Sequence, residues 1–219
     1  MTMVGALSAA VPRTRMTGSE RREQLISVAR QLFAERGFEA TSIEEIAQRA
    51  KVSKPVVYEH FGGKEGLYAV VVDREMQSLL GRVTKALDAT HPRAILEQAA
   101  IALLTYIEDE HEGFRVLVRD SPVASTTGNF ASLMADIASK VEHIVAAEFA
   151  RLGQDLEMAP LYSHALVGMV ALVGQWWLDA EGPSRDKVAA HLVNLAWNGL
   201  GRLDPNPTLG PPKPVAKEA

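Results

Sequence analysis

Residues 41–64, TSIEEIAQRAKVSKPVVYEHFGGK, constrain the fold more than any other stretch, because they encode two helices too short to be stable alone. Thr41 followed three residues on by Glu44 has the spacing of a capping box, in which hydroxyl and carboxylate each take an orphan amide of the first turn. Ile43, Ile46, Ala47 and Ala50 then recur at helical spacing and give the helix one apolar stripe. Lys51-Val52 makes a turn, and Ser53 caps a second helix on which Val57 and Phe61, four apart, face inward. Lys54, Pro55, Val56, Tyr58 and Glu59 are left on the outward side. Two short helices that brace each other in this way make a helix-turn-helix, which lays its second helix in the major groove of duplex DNA. An exposed Pro-Val-Val-Tyr would be an apolar patch without purpose on a lone soluble domain, and contact with thymine methyls supplies the purpose.

The net charge of -4 would argue against a nucleic-acid partner only if it were uniform. From Arg13 to Lys64 ten Lys/Arg stand against seven Asp/Glu, whereas the rest of the chain holds 13 against 20. A mildly basic head on an acidic body steers one end onto phosphate and keeps the other off it. No cysteine occurs among the 219 residues, which removes disulfides, thiolate nucleophiles and cysteine metal sites and suits a reducing cytoplasm. The N-terminal MTMVGALSAAV lacks the basic region that precedes the apolar stretch of an export signal; Arg13 and Arg15 follow it instead. Residues 1–16 therefore read as a disordered arm, or as an over-extended start with Met16 as the true one, and arms with two arginines can enter a minor groove. Residues 204–219, rich in proline, read as a disordered tail. No apolar run is expected to span a bilayer, so no membrane partner is foreseen.

Elsewhere helical patterns follow one another with no two-residue alternation, and the chain is read as all-α. A first helix from about Ser19 to Arg36 braces the two short ones, giving a head over 17–63. A body over 64–203 follows, with helices predicted over about 64–88, 92–110, 112–119, 129–152, 160–180 and 184–202. The last two are apolar around more of their circumference than one internal contact needs, and so are expected to bury a second face.

Thr41, Ser42, Ile43, Ile46, Ala47, Val52, Ser53, Val57, Tyr58, His60, Phe61 and Lys64 stand in register with the DNA-binding end of the TetR family of bacterial transcriptional regulators, which the chain resembles over about residues 19 to 68. The resemblance implies nine helices, three in a helix-turn-helix head and six in a ligand-binding and dimerisation body. It implies that Lys54, Pro55, Val56 and Tyr58 face base edges or the adjoining backbone, and that Thr41, Ser42, Tyr58, His60 and Lys64 grip phosphates. Ser53 lies at the start of the reading helix; Glu44 is expected to cap or solvate, and Glu59 to solvate or accept from a cytosine amino group. The last two helices of each subunit are implied to form a four-helix homodimer interface, here carrying Leu161, Ala165, Gly168, Leu172, His191, Leu192 and Leu195. A small-molecule cavity is expected in the body, with Tyr106, Phe114, Phe130, Met134, Ile137, Trp176 and Trp177 as candidate lining. Two departures from the family pattern stand out: Lys51 occupies a turn position where glycine is frequent, and Gly62-Gly63 replaces a polar cap before Lys64. With Gly66, these glycines are expected to make a permissive hinge that Gly63→Ser would stiffen.

His111-Glu112-x-x-Arg115 stops one residue short of a zinc-protease motif, and no phosphate loop, nucleophile elbow or dinucleotide fingerprint occurs. No catalytic residue, cofactor or metal is expected. The reading is a cytoplasmic homodimeric regulator, most often a repressor in this family, released from an inverted-repeat operator by an unknown small-molecule effector. The alternative is an inducer-independent DNA-binding or scaffold protein whose body serves only dimerisation or protein contacts.

Overall fold

The computed structural model describes residues 16–89, 91–119, 130–180, 182–205, 207 and 209. The arm at 1–15, with Arg13 and Arg15, lies outside the described residues, as does nearly all of the tail. Among the described residues there are nine α-helices and no strand: α1 (Gly18–Arg36), α2 (Ile43–Ala50), α3 (Lys54–Phe61), α4 (Lys64–Ala86), α5 (Pro92–Asp109), α6 (His111–Val118), α7 (Phe130–Leu152), α8 (Ala159–Asp179) and α9 (Arg185–Leu200). A single 3-10 turn, Leu156–Met158, leads into α8.

Local chemistry sets most of the ends. Thr17 and Glu20 form a full capping box at the start of α1, which stops at Gly37 with φ 81°. The box expected from Thr41 and Glu44 is instead made one residue on, where Ser42 Oγ accepts from the Glu45 amide and the Glu45 carboxylate accepts from the Ser42 amide. The reason lies in α1. Thr41 donates its hydroxyl to Gly37 O at 2.7 Å, a carbonyl left open just past the end of α1, and lies 3.3 Å from Leu32 O. Lys51 closes α2 in the left-handed region at φ 56°, a conformation that costs a non-glycine residue on the order of 1 kcal/mol.

The head and body share one continuous core. Leu25, Ala29, Leu32 and Phe33 of α1 meet Ile46 and Ala50 of α2, Val57 of α3 and Leu67 and Val71 of α4. Tyr68 packs edge to face against Phe33 at 5.0 Å and Phe38 at 4.9 Å, while Phe33 and Phe38 stack on each other. Fully burying each large side chain contributes about 1.5–3 kcal/mol. Along α4 the buried residues Leu67, Val71, Glu75, Leu79 and Val83 fall four apart, so one stripe of one helix runs from the head into the body.

A polar knot interrupts that stripe. The Tyr106 hydroxyl donates to Glu75 Oε2 at 2.5 Å, Arg30 Nε lies 3.1 Å from Glu75 Oε1, and Arg30 Nη2 donates to Glu110 Oε2 at 2.5 Å. It ties α1 to α4, to α5 and to Glu110, which joins α5 to α6. Burial and the neighbouring carboxylate push the Tyr106 hydroxyl far above the usual phenol range, so it stays a donor. For Arg30, burial works against the charge, but Glu75 and Glu110 outweigh it and hold the guanidinium charged.

One expectation about the body is corrected. Leu156–Asp179 is long and apolar enough to cross a membrane by length and composition, with a mean hydropathy of 1.5, and only 17% of its most apolar window is buried within this chain. No Asp, Glu, Lys or Arg interrupts residues 158–178, which is why the run passes.

Candidate functional site: reader helix, junction and body cavity

On α3 a single buried residue, Val57, anchors the helix, and the opposite side is open. Tyr58 is 53% exposed, and Lys54, Pro55 and Glu59 are exposed beside it. Lys54 pairs with Glu44 of α2, so the carboxylate lies at the rim of the reading face and is held below its usual range by the Lys54 ammonium. Ser53 occupies the N-cap position of α3 without a side-chain cap bond, and its hydroxyl faces solvent at the helix N-terminus, where anions are favoured.

Other expected contacts fall elsewhere. Thr41 is only 2% exposed and donates its hydroxyl to Gly37 O, which turns its side chain away from the surface expected to meet phosphate. Ser42 is engaged in its capping box. Val56 is half-buried against the head core, and His60 is half-buried with its ring 6.0 Å from Phe61. Lys64 turns inward: its ammonium donates to Phe38 O at 3.1 Å and sits 4.2 Å above the Phe38 ring. Sequence reasoning missed Arg22, which stacks over Phe61 at 5.0 Å and places a cation beside the reader helix. A cation inside α1, one of several on that helix, gives no local pattern that would have flagged it.

The glycines before α4 fix the junction instead of loosening it. Gly63 is buried at φ 150°, ψ -170°, a conformation that residues with side chains rarely adopt, so any substitution there is strained by its backbone even though a β-carbon would only touch the Glu65 carboxylate at 3.4 Å. A β-carbon on Gly66 would lie 2.0 Å from the Phe61 carbonyl oxygen, so α3 and α4 approach as closely as backbone allows. The hinge expectation, with its stiffening Gly63→Ser, is therefore reversed: the substitution introduces strain.

In the body a cavity of about 180 Å³ lies between α4, α5, α7, α8 and α9. Of the expected lining residues Met134 and Ile137 reach it; the other five do not. Tyr106 and Phe114 are fully buried core, Phe130 meets Phe114 edge to face at 5.7 Å, Trp177 donates to Pro183 O at 2.9 Å, and Trp176 faces outward. The walls are aliphatic, among them Val83, Ile95, Leu103, Val141 and Val170. Glu148 and Arg151, at the C-terminal end of α7, were also missed. Their signal was present, since Glu148 continues an apolar stripe through Ile137, Val141 and Ile144 at helical spacing.

The outer side of α8 and α9 carries the expected second apolar face. Leu161, Ala165 and Leu172 are exposed on α8 and His191 and Leu195 on α9, with Leu172 at 67% and Leu195 at 65%; Gly168 is half-buried. Leu192 is the exception, buried to 6% inside the subunit because it lies on the inner side of α9 with Val188 and Ala189.

A helix-turn-helix with a bare reading face, mounted on a helical body with a cavity, defines a DNA-binding regulator. Residues 25–71 match the pattern of bacterial regulatory proteins, tetR family, and residues 82–210 match the tetracyclin repressor-like C-terminal domain. The chain belongs to the TetR family of transcriptional regulators. It is 31% identical over 195 residues to the HTH-type transcriptional activator FasR of Mycolicibacterium smegmatis, covering 86% of this chain and 87% of that one. Over 75 residues, 34% of this chain and 38% of the relative, it is 41% identical to the HTH-type transcriptional repressor Rv3405c of Mycobacterium tuberculosis. A TetR-like regulator from Rhodococcus sp. RHA1 superposes with a TM-score of 0.74 at 26% identity, covering 85% of this chain and 99% of that structure.

Proposed function

We propose that the protein is a homodimeric repressor that binds an inverted-repeat operator and is released by a small apolar effector entering the body cavity. The observation that carries this reading is α4, one helix that starts beneath the reader at Lys64 and reaches the cavity at Val83 and Leu87 just beyond its end. A ligand pressing on that end tilts the helix and alters the spacing of two heads that must fit grooves about one turn apart. The exposed α8–α9 face supplies the second copy, and this also accounts for a membrane-length apolar helix that is so little buried within one chain. The reading helix presents Lys54, Pro55, Tyr58 and Glu59 to bases, with Ser53 and the cations Arg22 and Lys51 at its flanks. The domain limits of the sequence reading, 17–63 and 64–203, serve as head and body, with α4 rooted in both.

Selection of duplexes from a random pool with the full chain, followed by light scattering of the free protein, tests the reading. A two-fold symmetric site and a mass twice that of the chain are expected; an asymmetric site bound by a monomer overturns it. Repression is tested by a reporter driven through the selected site, where activation on expression of the protein reverses the sign of regulation without touching the DNA-binding assignment.

A further inference from the structure

The cavity is asymmetric in a way that points to the chemistry of its ligand. Its lining on α7 runs from Met134 to Leu152, about 27 Å of helix, so the cavity is elongated along that helix. Among the described residues only Phe149 and Trp197 of its walls are aromatic, and an elongated, largely aliphatic cavity suits a flexible chain better than a rigid ring system. Among the described residues its ionisable groups are confined to one end. There Glu148 and Arg151 are the two ionisable lining residues, next to Trp197 and to His91, whose ring lies 5.9 Å from the indole.

The two charges are not equivalent. Arg151 donates to both oxygens of Glu148, Nη2 to Oε1 at 2.6 Å and Nε to Oε2 at 2.9 Å. The Glu148 side chain is 15% exposed and that of Arg151 66%, so the carboxylate is on the inside and the guanidinium faces water. The Arg151 fork, helped by His91, holds the carboxylate ionised. Each carboxylate oxygen has a second lone pair, so the pair can still accept a hydrogen bond from a donor within the cavity. A ligand acid would instead meet a half-buried negative charge and would have to pull Arg151 inward from water, breaking a bidentate pair.

We propose that the cavity takes a linear aliphatic molecule ending in a hydrogen-bond donor, a primary alcohol or a protonated amine, received by Glu148. This rests on the reading of the cavity as the effector site. Equilibrium dialysis of the full-length protein against decylamine, 1-decanol and decanoate, each below its micellar concentration, tests it. The amine and the alcohol are expected to bind at least about tenfold more tightly than decanoate. Glu148→Gln keeps an acceptor but loses the charge, so it should cut amine binding about tenfold and leave the alcohol nearly unchanged; Glu148→Leu should weaken both. Val141→Trp, which fills the cavity, should abolish all uptake and so separates binding there from non-specific adsorption to an acidic protein. Tighter binding of decanoate, or an order of affinities unchanged in Glu148→Gln, overturns the donor-end assignment. Equal binding of all three that Val141→Trp removes leaves the cavity as the effector site and overturns only the donor end. Binding that survives Val141→Trp, or no binding of any chain, overturns both.

Discussion

Two of the surfaces on which the protein leaves large apolar side chains exposed, the outer side of α3 and the outer side of α8 and α9, differ in their electrical surroundings. On α3, Tyr58 stands among Lys54, Glu44 and Glu59, with Arg22 and Lys51 nearby. On α8 and α9 the exposed Leu161, Leu172, Trp176 and Leu195 lie on stretches, 158–178 and 188–200, that contain no Asp, Glu, Lys or Arg. A polyanion rewards the first arrangement, because cations bring the reader to phosphate while apolar groups touch base edges. Only another apolar surface rewards the second. Exposure alone thus does not name a partner; the charges around it do.

The sharpest way to break the comparison is to put a charge on the uncharged face. Leu172→Asp buries a carboxylate in the proposed interface, and light scattering should show a monomer that is still helical by circular dichroism. Operator affinity should fall about a thousandfold as two linked half-sites become one. A dimer that persists would move the second-copy interface away from α8.

Next in size is the knot that holds both regions in register. Arg30→Ala strands the Glu75 carboxylate, whose side chain is 12% exposed, and should destabilise the chain by about 3 kcal/mol in denaturant titration. Tyr106→Phe removes only the hydroxyl and should cost about 1–3 kcal/mol. If both changes leave stability intact, α4 is held to the body by apolar packing alone.

The reader itself separates its inner from its outer side. Val57→Ala should cost about 1–3 kcal/mol through lost burial, with sequence preference retained. Tyr58→Ala should leave the melting temperature in place and abolish specific operator binding while non-specific binding persists. Thermal melts and gel shifts on both variants test this, and an inverted pattern would mean that the helix is rotated on its axis.

How much of this was legible in the chain follows from the range of the forces involved. The nine helices and their ends were readable because caps, glycines and apolar periodicity act within a few residues. The helices of the head were readable for the same reason, with their caps shifted at one place: Thr41 has the right chemistry for a cap, but the Gly37 carbonyl left open after α1, brought to it by the fold, claims its hydroxyl first. The cavity was least legible. Tyr106, Phe114 and Phe130 look like ligand walls by composition, yet aromatic residues fill a core as readily as they line a pocket, and which side of a helix meets a void depends on five helices at once. The glycines misled for a related reason: glycine signals that a special backbone is present, and only the surroundings tell whether it is needed for freedom or for close approach.

The smallest expected effect falls on Lys64, where resemblance and geometry part. A lysine on phosphate contributes about one unit to the salt slope of DNA binding, so its removal should weaken every sequence alike and flatten that slope. Here the ammonium is already used by Phe38, through the carbonyl at 3.1 Å and the ring at 4.2 Å. The structure therefore predicts that Lys64→Ala leaves the salt slope unchanged and lowers stability by about 1 kcal/mol, the worth of a hydrogen bond and a cation–π contact that are only partly shielded from water. Measuring both quantities on one variant decides between the two roles. A slope reduced by about one, with stability unmoved, would mean that Lys64 leaves Phe38 for the backbone when DNA arrives, and the head would then have one more cation on its DNA face than the unbound structure displays.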